Sequence, residues 1–175
     1  MYRSVFIWEF AGILVIFLLG SIIHEAYKLT GQSVLAAMFA PVNESVWEHL
    51  KMGSSAVLAF SFIEYFFIAG SVHNFLLAKT LCLYIVPLLI ALLHYSYKIV
   101  VGRHLLVLDL FVFLISISAG QLVSFYLLSS PRHFTTLNRL ALLALILAVG
   151  IFVYCTFKPP MLTIFKDATT GKHAP

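Results

Sequence analysis

Five apolar stretches separated by short polar turns leave this chain few ways to fold. A bilayer core needs about 20 apolar residues per helix, and the stretches at about 4–25, 45–70, 76–97, 105–128 and 138–157 all approach or exceed that length. Of the 175 residues 62% are hydrophobic, and the mean hydropathy is +1.02, against roughly 45–50% apolar content in a soluble domain. Lipid is therefore the expected solvent and partner. The expected fold is all-α: a polytopic membrane protein, one bundle of five transmembrane helices within residues 1–160, followed by an extended polar C-terminal tail over 161–175. Val34 to Ala40 is apolar but too short to span, so the first loop is expected to hold an interfacial or re-entrant segment. The first stretch continues through Ile22-Ile23 without a small-x-small cleavage site and reads as a retained helix, not a signal peptide.

The formal net charge is +4, from 11 Lys and Arg, 7 Asp and Glu, with His neutral. These basic residues are scattered one or two per loop and form no stripe, so a nucleic-acid partner is not expected. Five spans place Arg3, Lys79, Arg132 and Arg139 on the N-terminal side and Lys28, Lys51, Lys98, Arg103, Lys158, Lys166 and Lys172 on the other. That is four against seven. The positive-inside rule then predicts a multi-pass cell (inner) membrane protein with its N-terminus outside and its C-terminus cytoplasmic. Cys82 and Cys155 fall near opposite faces and read as small apolar packing residues. No glycine-rich phosphate loop, G-x-S-x-G elbow or C-x-x-C pair occurs, which removes support for nucleotide hydrolysis, serine-hydrolase and thiol-redox chemistry.

Against this background Pro41 to Lys51, PVNESVWEHLK, is anomalous. Ser45 with Glu48 three residues on has the form of a capping box, so a helix is expected to begin there. Glu44, Glu48 and Lys51 recur at i, i+4 and i+7 and would share one helical face, with His49 about 100° away. Five spans also bring the end of helix one, the start of two, the end of three, the start of four and the end of five to one face. His24, Glu25, Glu44, Glu48, His49, Lys51, His94, Tyr97, Asp109 and Lys158 thus gather at one level. Ionisable residues in or near hydrocarbon cost about 2.5–3.5 kcal/mol each on insertion scales, which makes each a functional candidate.

Two chemistries suit this set. His24, Glu48, His94 and Asp109 offer imidazole and carboxylate ligands for a divalent transition metal. Alternatively Glu48, His49 and Asp109 serve as acid-base groups, Lys51 stabilises negative charge, and Glu44, Trp47 and Tyr97 line the pocket. A purely structural reading assigns Glu48 to the cap, Glu44 to the helix dipole and the aromatics to the interface. A second set, Glu9, Glu64 and Gln121, lies toward the other face. It belongs either to a ligand or ion path, which would make the chain a proton- or ion-coupled transporter, or to hydrogen-bonded interface carboxylates. A non-catalytic membrane partner protein remains the third functional class.

The segment Pro41 to Lys51, together with the tail Phe165-Lys166-Asp167-Ala168-Thr169-Thr170-Gly171, resembles a family of small uncharacterised prokaryotic integral membrane proteins, a domain of unknown function. Ala168 stands where that family has proline. The resemblance spans nearly the whole chain and implies a fold and a membrane location without an activity. In layout, a His and Glu ending helix one and a W-E segment opening helix two are also similar to sterol-isomerase-like membrane proteins. That likeness implies a buried carboxylate cavity for an amphipathic small molecule and an enzyme acting on a lipid-like substrate.

Overall fold

The computed structural model describes residues 2–172. Six helices follow one another: α1 Tyr2–Leu29, α2 Val34–Ala37, α3 Val46–Ile68, α4 Phe75–Val101, α5 Leu106–Leu128 and α6 Thr135–Phe157. All but α2 are long and apolar enough to cross a membrane, so the protein is an all-α, membrane-embedded bundle in contact with lipid. α2 is the short piece expected in the first loop. Ser33 caps it, its Oγ accepting the Ala36 N–H at 3.1 Å.

α1, α3, α4 and α5 close a ring, α3 packing on α1 and α4, and α5 on α1 and α4, while α6 lies outside against α4. α3 is the most buried span: half of its most apolar stretch is buried, against 17% for α6. Small residues set the helix spacing, because without a hydrophobic force between helices in lipid, close van der Waals packing must hold them. A Cβ at Gly20 would fall 2.6 Å from the Phe113 ring, and one at Gly12 would fall 2.5 Å from Phe60.

Boundaries follow local chemistry. Ser45 caps α3, its Oγ accepting the Glu48 N–H at 3.3 Å, as expected. The reciprocal half of a capping box does not form. The Ser45 N–H donates to Asn43 Oδ1 at 2.8 Å, and the Glu48 carboxylate reaches past the cap to the Val42 N–H at 3.0 Å. α4 runs through Pro87 and ends at Gly102, whose left-handed backbone (φ 74°) turns the chain while its N–H closes on Lys98 O.

The tail is not merely extended. A 3₁₀ turn at Thr163–Phe165 buries Phe165 against Trp47, ring centroids 4.6 Å apart, and the next residues fold back onto the segment before α3.

Candidate metal centre and the buried lysines

α1, α4 and α6 end, and α3 and α5 begin, on one face, which we call the tail face. Gly20, Gly53, Ile90 and Phe113 meet in the core beneath it. His24, His49, His94 and Asp109 each lie four residues, about one turn, from one of these toward the tail face. The convergence expected from the topology is therefore present, but the side chains divide into three groups.

The first is His24, Glu44 and His49. Because α3 begins only at Val46, Glu44 lies outside it, and the helical spacing that would align it with Glu48 and Lys51 does not apply. It turns instead toward the histidines. His24 Nε2 and His49 Nε2 lie 3.7 and 3.6 Å from Glu44 Oε2, and the two imidazoles are 5.4 Å apart. Each histidine has its other nitrogen engaged: His24 Nδ1 stands 2.9 Å from Glu25 Oε1 and His49 Nδ1 2.8 Å from Ser45 O. A carboxylate and a carbonyl only accept, so both Nδ1 atoms carry the hydrogen. In the neutral rings both Nε2 lone pairs then face Glu44. Lys28 stands at the rim, 3.7 Å from Glu25 and 4.0 Å from Glu44. Among the described residues, this is the one group of three or more His, Cys, Asp or Glu with ligand atoms close enough together for one ion.

The tail brackets Glu44. Asp167 Oδ2 accepts the Glu44 N–H at 3.0 Å, and the Ala168 N–H donates to Glu44 O at 3.3 Å. Burial of Asp167 raises its pKa. Hydrogen bonds from the Thr169 hydroxyl and the Thr170, Glu44 and Thr169 N–H groups outweigh that effect and hold its carboxyl well below the usual carboxylate range.

The second group is His94, Tyr97, His104 and Asp109. Asp109 Oδ1 accepts from Tyr97 OH at 2.6 Å and from His94 Nδ1 at 2.8 Å, while His104 Nε2 stands against Oδ2. His104 was not among the expected site residues. Its place in the turn just before Asp109 was the available signal.

The third is Glu48 with Lys51. Their charges meet at 2.6 Å, both fully buried. Lys51 Nζ also donates to Ala37 O at 2.7 Å and Thr156 Oγ1 at 2.8 Å. An ammonium has three donors, and all are used. Lys51, expected to stabilise charge on a ligand, is here engaged with α2, α3 and α6, which its side chain clamps together. The metal set His24, Glu48, His94 and Asp109 is likewise not assembled, because Glu48 is turned into the clamp and His94 and Asp109 bind each other. Trp47 stacks between Phe165 and Phe152, and its indole N–H has no acceptor among the described residues.

Toward the opposite face, Glu64 joins neither pocket. With Glu9 it holds Lys79, which had been counted as a loop charge but is buried in the first turns of α4.

The match to known families covers residues 2–174. The chain belongs to DUF6512, a family of unknown function. That membership agrees with the resemblance drawn from the PVNESVWEHLK segment and the tail. Comparison with curated proteins and with solved structures finds no match.

Proposed function

We propose that this membrane protein binds a divalent transition metal through His24, Glu44 and His49 at the tail-face rim of the bundle, and uses it on an amphipathic, lipid-like substrate. The observation that carries the reading is the convergence of His24, Glu44 and His49 ligand atoms, with each histidine's Nδ1 engaged elsewhere. Distances of 3.6–3.7 Å are too long for hydrogen bonds, and between neutral imidazoles and a carboxylate the gap suits a bound cation that all three groups can ligate. Ligand atoms around tetrahedral zinc, about 2.0–2.1 Å from the metal, are separated by roughly 3.3 Å, so the two edges from Glu44 to the histidines need to close by only a few tenths of an ångström. Nδ1 hydrogen bonds to a carboxylate and a carbonyl are the outer support that metal-ligating histidines use. Two imidazoles and a carboxylate leave further coordination positions for water or substrate.

A lipid-like substrate is favoured by the segment joining His24 to Glu44. It exposes Leu29, Val34 and Leu35 at 80%, 68% and 71% of their surface beside the rim. Zinc titrated into chelator-stripped, detergent-purified protein against a chromophoric competitor is the test. One equivalent per chain is expected, with at least about tenfold weaker binding in Glu44→Gln and His49→Ala. Stripped protein that takes up no zinc, manganese or iron would sink the reading.

We also propose that the tail face is cytoplasmic. With Lys51 and Lys79 buried in ion pairs, the exposed basic residues are Lys28, Lys98, Arg103, Lys158, Lys166 and Lys172 on the tail face, against Arg3, Arg132 and Arg139 opposite. The bias becomes six against three, in the sense the positive-inside rule requires. A thiol introduced at Thr170 should resist an impermeant reagent in intact cells, and its labelling would reverse the assignment.

A further inference from the structure

A polar layer crosses the bundle between its two apolar clusters. On one side lie Val5, Ile68, Phe75 and Leu128; on the other lie Ile16, Phe60, Cys82 and Ile117. Between them Glu9 of α1, Glu64 of α3 and Lys79 of α4 are each at most 2% exposed. Lys79 Nζ is 2.6 Å from Glu9 Oε1 and in ion-pair contact with Glu64. α5 contributes only neutral groups: Ser124 donates to Glu9 Oε1 at 2.8 Å, and Gln121 Nε2 donates to the Glu9 backbone carbonyl at 3.1 Å. α6 contacts α4 here through Ala141 O, which accepts from Thr80. Glu9 Oε2 and Glu64 Oε1 have no hydrogen-bond partner among the described residues.

The charges do not balance. Two carboxylates and one ammonium sum to −1 in a medium where an isolated ion is prohibitively costly. None of the ion pairs found brings a second cation to either glutamate. We infer that the Glu9–Lys79–Glu64 triad is a proton-binding site, in which the two carboxylates hold one proton besides those of the ammonium. A protonated carboxyl makes the layer neutral and turns an orphaned acceptor into a donor.

The layer is also one side chain away from the opposite surface. A shallow hollow of about 440 Å³ is lined there by Tyr65, His73, Phe75 and Asn138. Phe75, which forms part of its wall, stands 5.8 Å from Lys79 Nζ. Its ring thus borders both the hollow and the triad, and its removal should ease passage of a proton between them.

Infrared spectroscopy of the reconstituted protein tests this directly, since a protonated carboxyl has a C=O stretch that a carboxylate lacks. The wild type should show such a band near neutral pH, downshifted in D₂O. Glu9→Gln and Glu64→Gln should each abolish it, because the remaining carboxylate then pairs with Lys79 as an ion. Phe75→Ala should keep the band and speed its exchange into D₂O. Absence of the band in the wild type, or its persistence in both Gln variants, overturns the inference. Both Gln variants preserve charge neutrality and are expected to fold, which their thermal unfolding checks independently.

Discussion

Lys51 and Lys79 are both buried lysines beside glutamates, yet they solve the problem of an ion in lipid in different ways. Lys51 faces one carboxylate and two neutral oxygens, so charge and donors are both balanced. Lys79 faces two carboxylates, and oxygens are left over. A buried pair of zero net charge with every proton used has no chemistry to offer and reads as a fastener. A buried triad one charge short of neutrality has a vacancy for a proton. What marks a site of exchange in a membrane protein is thus the incompleteness of the network more than the presence of an ionisable residue.

The same substitution at two glutamates separates these cases most sharply. Glu48→Gln strands the Lys51 charge and should lower stability by about 3–5 kcal/mol, the cost of breaking a buried pair from one side. Thermal unfolding followed by dye labelling of the buried thiol of Cys82 would measure it. Thr156→Val leaves the clamp charged but removes one acceptor, for an expected loss of about 1–3 kcal/mol by the same assay. Glu64→Gln, chemically identical to the first change, should shift stability by less than about 1 kcal/mol, since an amide replaces a group already neutral overall with its partner. A loss at Glu64 equal to that at Glu48 would erase the contrast.

The smallest effect is local and concerns the tail. Asp167 has a folded pKa below its unfolded value. Its contribution is therefore fully present above the ordinary carboxylate range and is lost as pH falls through the depressed folded value. Trp47 fluorescence, sensitive to Phe165 stacking, should hold constant from neutral pH down through that ordinary range and change only below it. In Asp167→Asn the stacking should already be weakened at neutral pH.

The five spans, the short α2 and the common level of the polar residues were legible because each follows from apolar length and from counting crossings. The partition of polar groups was not. Glu44 was aligned with Glu48 by a helical period that starts only after Ser45, a boundary on which the whole assignment turned. Lys79 was counted among the charges of the N-terminal side, although a lysine within an apolar run must find an anion. Glu9 and Glu64 were noticed but their cation was not. Thr156 gave no signal at all, since its part in the clamp depends on how α6 docks.

The hydrogen bond from Glu44 to Asp167 joins residues 123 positions apart. At about 5–20 residues per second of synthesis, roughly 6–25 s separate the making of these two residues. In that interval α3 to α6 are made while Glu44 stands unbracketed. The tail bracket on the Glu44 backbone is therefore made last, after the residues of every span.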